Sequence, residues 1–272
     1  MRTLRESDIP AAMQLKNAAG WNQTEQDWRN LLRLAPDGCF GVDWDGSLVS
    51  TTTAVCYGSE LAWIGMVLTD PAYRSRGFAR RLMEHALEFL ERRQVQWIKL
   101  DATDSGRPLY GKLGFRDEQP IERWVRKAGP IAHGTAVRPA VPHEWRGFDR
   151  QAFGADRWEL LRLLAPIESA ALPGAGYAMG RSGCKAAYFG PCVSRSFVEA
   201  RGLLSWFLSM HSAENIYCDL LPSNDDAVQL AREFGFQCDR ELVRMARCGM
   251  AGAAPLVCHE NYIFAIAGFE FG

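Results

Sequence analysis

The chain has 272 residues, 47% hydrophobic and 23% charged, with a formal net charge of −1. That length suits two domains of about 100–150 residues each, and the balanced charge gives no basic field to hold nucleic acid or a membrane surface. No apolar run reaches the roughly 18 residues of a membrane span. The opening Met1-Arg2-Thr3-Leu4-Arg5-Glu6-Ser7-Asp8 turns polar at once, unlike a secretory signal, and the eight cysteines form no C-x-x-C pair. A cytoplasmic location with free thiols is therefore expected, with no nucleic-acid or membrane partner.

In chain order, a strand is expected near 2–5 and helices near 8–19 and 24–34. Trp28, Leu31, Leu32 and Leu34 have spacings that can share a face of the second helix. Cys39–Trp44 and Ser47–Tyr57 read as a hairpin turned by Asp45-Gly46, followed by a strand over Leu61–Thr69. A helix over Arg76–Arg93 carries Leu82, Ala86, Phe89 and Leu90 on one stripe. Next come a strand over Gln96–Asp101, a short helix over Arg107–Leu113 ended by Gly114, and a closing strand over Phe115–Arg126. Strands outnumber helices in mixed order, which predicts an α+β fold (an α/β sandwich) with a partly antiparallel sheet.

The pattern recurs. Leu109-Tyr110-Gly111-Lys112-Leu113-Gly114-Phe115 is echoed by Leu230-Ala231-Arg232-Glu233-Phe234-Gly235-Phe236. Ile121, Arg123 and Arg126 fall opposite Leu242, Arg244 and Arg247 at the same offset. Leu4-Arg5 with Pro10 is matched by Val137-Arg138 with Pro142. We read two copies of one fold, 1–127 and 135–272, joined through the Gly- and Pro-containing stretch 128–134.

The segment most informative about chemistry runs from Val67-Leu68-Thr69 through Asp70-Pro71 to Arg74-Ser75-Arg76-Gly77-Phe78-Ala79-Arg80-Arg81. A strand ends, a proline turn comes next, and basic residues around a glycine open a long helix. Unpaired N–H groups and the dipole at such a helix start favour an anion, to which the arginines add forked donors. A solvated basic helix start that binds nothing is the plainer alternative.

Arg74-Ser75-Arg76-Gly77-Phe78-Ala79 resembles the acetyl-CoA signature Arg/Gln-x-x-Gly-x-Gly/Ala of the GNAT N-acetyltransferase superfamily. The strand Trp63–Leu68 before it and Leu109–Phe115 after it stand in the order that family uses. Ala19-Gly20-Trp21-Asn22-Gln23-Thr24, Leu100-Asp101-Ala102-Thr103 and Ala265-Ile266-Ala267-Gly268-Phe269-Glu270 further resemble two-domain bacterial acetyltransferases of the YitH/HolE type. The resemblance implies two tandem GNAT-like domains, each a mixed, largely antiparallel sheet flanked by helices, with acetyl-CoA as co-substrate. A small-molecule amine is expected as acceptor, rather than a protein tail, because a second domain tends to enclose the site.

By that resemblance, the backbone of Met66, Val67 and Leu68 binds pantetheine, and Arg74, Ser75, Arg76, Gly77, Phe78, Ala79 and Arg80 take the pyrophosphate. Tyr110 matches the position whose phenol protonates the departing thiolate, though it also reads as an aromatic packed at a helix edge. The strand Leu61–Met66 carries no Glu to act as base; Glu60 stands at its far end. Asp101 could serve, or merely cap a turn. Trp21 and Asn22, and less so Trp28, are candidates for lining the acceptor cleft or for the core. In the second copy Asp149 and Asp156 could bind an acceptor ammonium, and Asp156 equally reads as a helix cap.

The second copy departs from the signature. The interval Gly190–Asp219 is seven residues shorter than Gly65–Asp101, lacks Arg-x-x-Gly-x-Gly/Ala, and has Ala231 where the first copy has Tyr110. That copy is expected not to bind CoA and to wall the acceptor site instead. The five histidines show no ligand spacing and no nucleophile elbow is present, so neither a metal nor an acyl-enzyme is expected. The sequence leaves monomer or homodimer open, and a non-catalytic acyl-CoA sensor stands as the rival to an N-acetyltransferase.

Overall fold

A computed structural model of the chain describes residues 1–130 and 137–272; part of the expected joint, 131–134, lies outside the described residues. The chain divides into two compact units. Unit 1 comprises Met1–Asp117, Met245–Pro255 and Phe271, and unit 2 comprises Glu118–Arg244, Leu256–Glu270 and Gly272.

Unit 1 contains β1 (Arg2–Thr3), α1 (Ile9–Ala18), α2 (Glu25–Leu34), β2 (Cys39–Trp44), β3 (Ser47–Tyr57), β4 (Leu61–Thr69), α3 (Phe78–Arg92), β5 (Trp97–Ala102) and α4 (Arg107–Lys112). Strands β1 to β5 follow one another across the sheet; every pairing is antiparallel except β4 with β5, which is parallel. The β2–β3 turn uses Asp45 and Gly46, both at positive φ, as the Asp-Gly pair predicts. Helix α2 starts at a reciprocal cap: Thr24 Oγ1 accepts from the Asp27 N–H while an Asp27 oxygen accepts from the Thr24 N–H. Helix α3 buries Leu82, Met83, Ala86, Leu87 and Leu90, and its Phe89 is half-buried against Phe40 of β2.

Unit 2 takes most of β6 (Arg116–Arg126), then α5 (Pro142–Phe153), α6 (Trp158–Leu164), β7 (Glu168–Leu172), β8 (Gly176–Arg181), β9 (Ala187–Ser194), α7 (Phe197–Met210), β10 (Ile216–Leu220), α8 (Asp225–Glu233), most of β11 (Gln237–Cys248) and β12 (Ile263–Ala265). Its strands run β11-β6-β10-β9-β8-β7, with β12 added to β9. Phe189, Leu203, Phe207, Leu220 and Trp124 lie at the centre of its apolar core.

The repeat is visible in the backbone. Phe115 N donates to Tyr110 O (3.1 Å) and Phe236 N to Ala231 O (2.9 Å), around Gly114 and Gly235, both at positive φ. One expectation changes. The strand read as closing the first copy, β6, pairs antiparallel with β10 in unit 2, where Arg123 makes a two-point ion pair with Asp219 (2.8 and 2.7 Å). Unit 1 instead receives the end of β11 and the chain as far as Pro255. Gly249 N donates to Gln96 O (2.8 Å) and Trp97 Nε1 to Ala254 O (2.7 Å). The two strands match at Ile121/Leu242 and Arg123/Arg244, so local pattern cannot say which sheet takes which.

Candidate active site

In unit 1, β4 and β5 pair only over Leu61–Trp63 and Trp97–Lys99. Beyond this the register of β4 against β3 shifts, and Met66 adopts φ 48°, a value a non-glycine residue rarely holds. Thr51 Oγ1 donates to Met66 O (2.9 Å) and Ser50 Oγ to Leu68 O (2.6 Å), so β3 pins the kinked strand through its hydroxyls. The result is a fork in the sheet edged by Met66, Val67 and Leu68.

The loop below the fork ends in a capless helix. Gly77 is the N-cap of α3 at φ 81°, and no side chain caps the helix. The first N–H groups of a 15-residue helix are thus left for an outside acceptor, with the positive end of the dipole behind them. Arg74, Ser75, Arg76, Gly77 and Arg80 are exposed around them, whereas Phe78 is buried and Ala79 half-buried. A Cβ on Gly77 would meet nothing within 4 Å, so backbone conformation, not crowding, calls for glycine here. Arg76 lies over the Tyr73 ring (5.0 Å), and Arg80 is paired with Glu84 (2.8 Å).

Tyr110 is buried on α4, its ring 6.2 Å from that of Phe115. Gly106 makes room for it, since a Cβ there would lie 2.9 Å from the Tyr110 ring. Burial pushes the phenol up to about 12, so it keeps its proton through the neutral range. Asp101 is half-buried near the end of β5. Trp21 is half-buried after α1, and Asn22 is 6% exposed.

The face of β3 turned toward α2 holds polar groups of which the sequence reading named only Trp28. Trp28 Nε1, Asn30 Nδ2 and Thr53 Oγ1 are buried without a hydrogen-bond partner. A polar atom left so costs about 1–3 kcal/mol. Lys16, on the buried side of α1, is 1% exposed and has no ion pair among the described residues. The signal was present: Asp27 and Asn30 stand with Leu31 at i, i+3 and i+4, polar residues on a stripe that ought to be apolar.

In unit 2, the two candidate carboxylates are held by guanidinium groups. Asp149 is 1% exposed, gripped by Arg157 (2.8–3.2 Å) and by the Tyr177 hydroxyl. Asp156 pairs with Arg146 Nε (2.9 Å), which holds its carboxyl below the usual range, and accepts from Trp158 N (3.0 Å) at the start of α6. Among the described residues, Glu122, Cys238 and Glu241 bring metal-ligand atom types within 4.8 Å of one another at an exposed position; exposed acidic groups of this kind are common without an ion.

The second copy has a fork too, and it is filled. Strands β9 and β10 pair over Ala187–Phe189 and Ile216–Cys218. Past that point β12 takes the edge of β9 at Cys192 and Val193, and Ile266 N donates to Asp219 O of β10 (2.9 Å). Tyr188 Oη donates toward Ile266 O (3.2 Å), and Arg181 pairs with Glu270 (2.8 Å). The chain's own segment 263–270 therefore lies where the first copy is open.

Comparison with known proteins agrees with this geometry. The acetyltransferase (GNAT) family model matches residues 4–115, and an acetyltransferase (GNAT) domain model matches 146–264. YitH of Bacillus subtilis (strain 168), an uncharacterized N-acetyltransferase, is 28% identical over 59% of this chain, a match spanning 58% of that relative's length. Among solved structures, one from Pyrococcus horikoshii has a TM-score of 0.87 at 22% identity, covering all of this chain and 95% of the other. The GCN5-related N-acetyltransferase from Sphaerobacter thermophilus has a TM-score of 0.65 at 16% identity, covering 94% and 97%. Among the described residues no helix is long and apolar enough to cross a membrane. With one GNAT match on each copy, a fork in the first sheet and a capless arginine-flanked helix below it, the chain belongs to the GNAT acetyltransferase family and carries two GNAT domains in tandem.

Proposed function

We propose that the chain is an acetyl-CoA-dependent N-acetyltransferase acting on a primary amine of a small molecule. The observation that carries this reading is the open fork of unit 1 set above the exposed, uncapped start of α3. The N–H groups at Gly77–Arg80 and the guanidinium groups of Arg74 and Arg76 suit a pyrophosphate. The free edge of Met66–Leu68 suits a pantetheine amide chain, which can add to it as a strand would. One such site per chain is expected, because segment 263–270 fills the second fork.

In this reading the amine nitrogen attacks the thioester carbonyl directly, in a ternary complex. The carbon–sulfur bond breaks as the amide forms, and the Tyr110 phenol gives its proton to the departing thiolate. A phenol pushed to about 12 is protonated throughout the neutral range and so holds a proton to give. No acidic side chain lies within β4, so the amine loses its proton to Asp101 of β5 or to water, or reacts as the neutral form. Thiol release from acetyl-CoA, measured against a panel of small amines, tests the proposal. Amine-dependent release that Tyr110→Phe suppresses supports it. Tight acetyl-CoA binding with no turnover on any amine would replace it with the sensor reading.

A further inference from the structure

Trp44 ends β2 beside the start of α3 and takes no part in acyl transfer. Among the described residues it is the one Phe, Tyr or Trp that is exposed, at 44%. Its ring packs on that of Phe78, the first residue of α3, with centroids 5.6 Å apart and planes inclined by 58°. Phe78 is buried in this contact, so the indole is fixed against the helix start while much of it stays in water. Trp44 also pairs with Ser47 across the Asp45-Gly46 turn, whose two residues both hold positive φ. The indole is thus a placed surface at a definite point of the fold.

That point adjoins the N–H groups of Gly77–Arg80, which suit a pyrophosphate. In coenzyme A a single ribose separates the pyrophosphate from the adenine, the ligand's one aromatic group, so the base comes to rest beside the helix start. Tyr73, the other ring of this loop, is half-buried and already faces Arg76 (5.0 Å). Trp44 remains as the open aromatic face. The local charge also suits a phosphorylated nucleotide: Arg74, Arg76 and Arg81 are exposed at the helix start. Of the acids beside Trp44, Asp43 is bonded by Arg2 (3.0 Å), and Asp45 stays exposed in the turn. A base needs only a flat apolar face to stack on, and an indole offers the broadest one a side chain can.

We infer that Trp44 stacks on the adenine of acetyl-CoA and thereby sets which acyl donors the site accepts. The inference rests on the acetyltransferase reading and adds to it a subsite for the nucleotide end. That end has no share in the chemistry, yet it supplies part of the donor's affinity. The site therefore prefers a free acyl-CoA to an acyl group carried on phosphopantetheine without the nucleotide, as on a carrier protein.

The test titrates the full chain with acetyl-CoA and with S-acetyl-4′-phosphopantetheine, the same thioester without the nucleotide end. Trp44→Leu keeps an apolar cover over Phe78 and removes the stacking face, whereas Trp44→Phe keeps a ring. Trp44→Leu is expected to weaken acetyl-CoA by about tenfold or more, the usual worth of a base stacked on an aromatic side chain, and to leave the short thioester unchanged. Trp44→Phe is expected to keep most of the wild-type affinity. Equal weakening of both ligands would mean that Trp44 only props Phe78. That result, or no change with either ligand, overturns the inference and leaves the transferase reading standing. Failure of the wild type to bind acetyl-CoA brings down both. Where the short thioester binds too weakly to titrate, tryptophan emission decides. Saturating acetyl-CoA quenches the wild type more than Trp44→Phe if the base lies on the indole; equal quenching overturns the inference.

Discussion

Tyr110 and Gly77 show how two residues gain meaning from opposite kinds of surroundings. Tyr110 is defined by enclosure: Phe115 packs its ring, Gly106 leaves it room, and burial holds its proton. Tyr110→Phe is therefore expected to lower kcat by about a hundredfold or more, the usual worth of a positioned acid, with little change in acetyl-CoA affinity. With the phenol at about 12, no activity limb due to Tyr110 deprotonation appears below about pH 10. A fall in wild-type rate near pH 8 that Tyr110→Phe abolishes would contradict this assignment. Gly77 is defined by openness and a positive φ, and this much was legible in the sequence, because Arg-x-x-Gly-x-Ala names a loop before any packing is known. That Asn30 Nδ2 and Thr53 Oγ1 are buried without a partner was not legible. A polar residue on a buried face reads as an imperfection until its neighbours are seen to leave it without a partner.

At the scale of elements, β12 and α7 carry the two sharpest expectations. Gly190 holds φ 146°, and a Cβ there would lie 2.1 Å from Ile266 O, a backbone atom with nowhere to yield. Gly190→Ala is expected to cost on the order of 2–4 kcal/mol and to expose the amides of 263–268 to hydrogen exchange. Gly235→Ala serves as control: its Cβ meets only open space, leaving a strain cost of about 1 kcal/mol at φ 78°. Equal losses for the two would mean that segment 263–270 does not plug the second fork. At the end of α7, His211 lies between Glu168 (2.8 Å) and Glu214 (2.7 Å) and stacks on Phe207. Hydrogen bonds to Glu168, opposed by burial and aided by Glu214, raise its pKa above the ordinary value of 6.5. Protonated His211 thus adds stability that is fully present below pH 6.5 and fades as pH rises through the raised value. The urea midpoint of wild type should exceed that of His211→Gln most at acidic pH, with the gap closing toward alkaline pH; a gap independent of pH would contradict the ion pair.

At the scale of the molecule, the two copies share a plan and differ in chemistry, and unit 2 holds most of both long strands that follow the repeated helix. The repeat was legible because Leu-x-x-x-x-Gly-Phe recurs with its flanking arginines, and both motifs fold into the same glycine-ended helix and long strand. The placement of β6 in unit 2 was not, because β6 and β11 carry equivalent residues at Ile121/Leu242 and Arg123/Arg244. The filled second fork was half legible: the missing loop could be counted, but not the segment 263–270 that takes its place. The central claim is one acetyl-CoA site per chain, in the first copy. Calorimetric titration of the full chain with acetyl-CoA tests it most directly. One site per chain, with affinity reduced about tenfold or more in Arg76→Ala, is the predicted result, since a guanidinium facing a pyrophosphate contributes about 1.5–3 kcal/mol. Two sites, or a single site indifferent to Arg76→Ala, would contradict it.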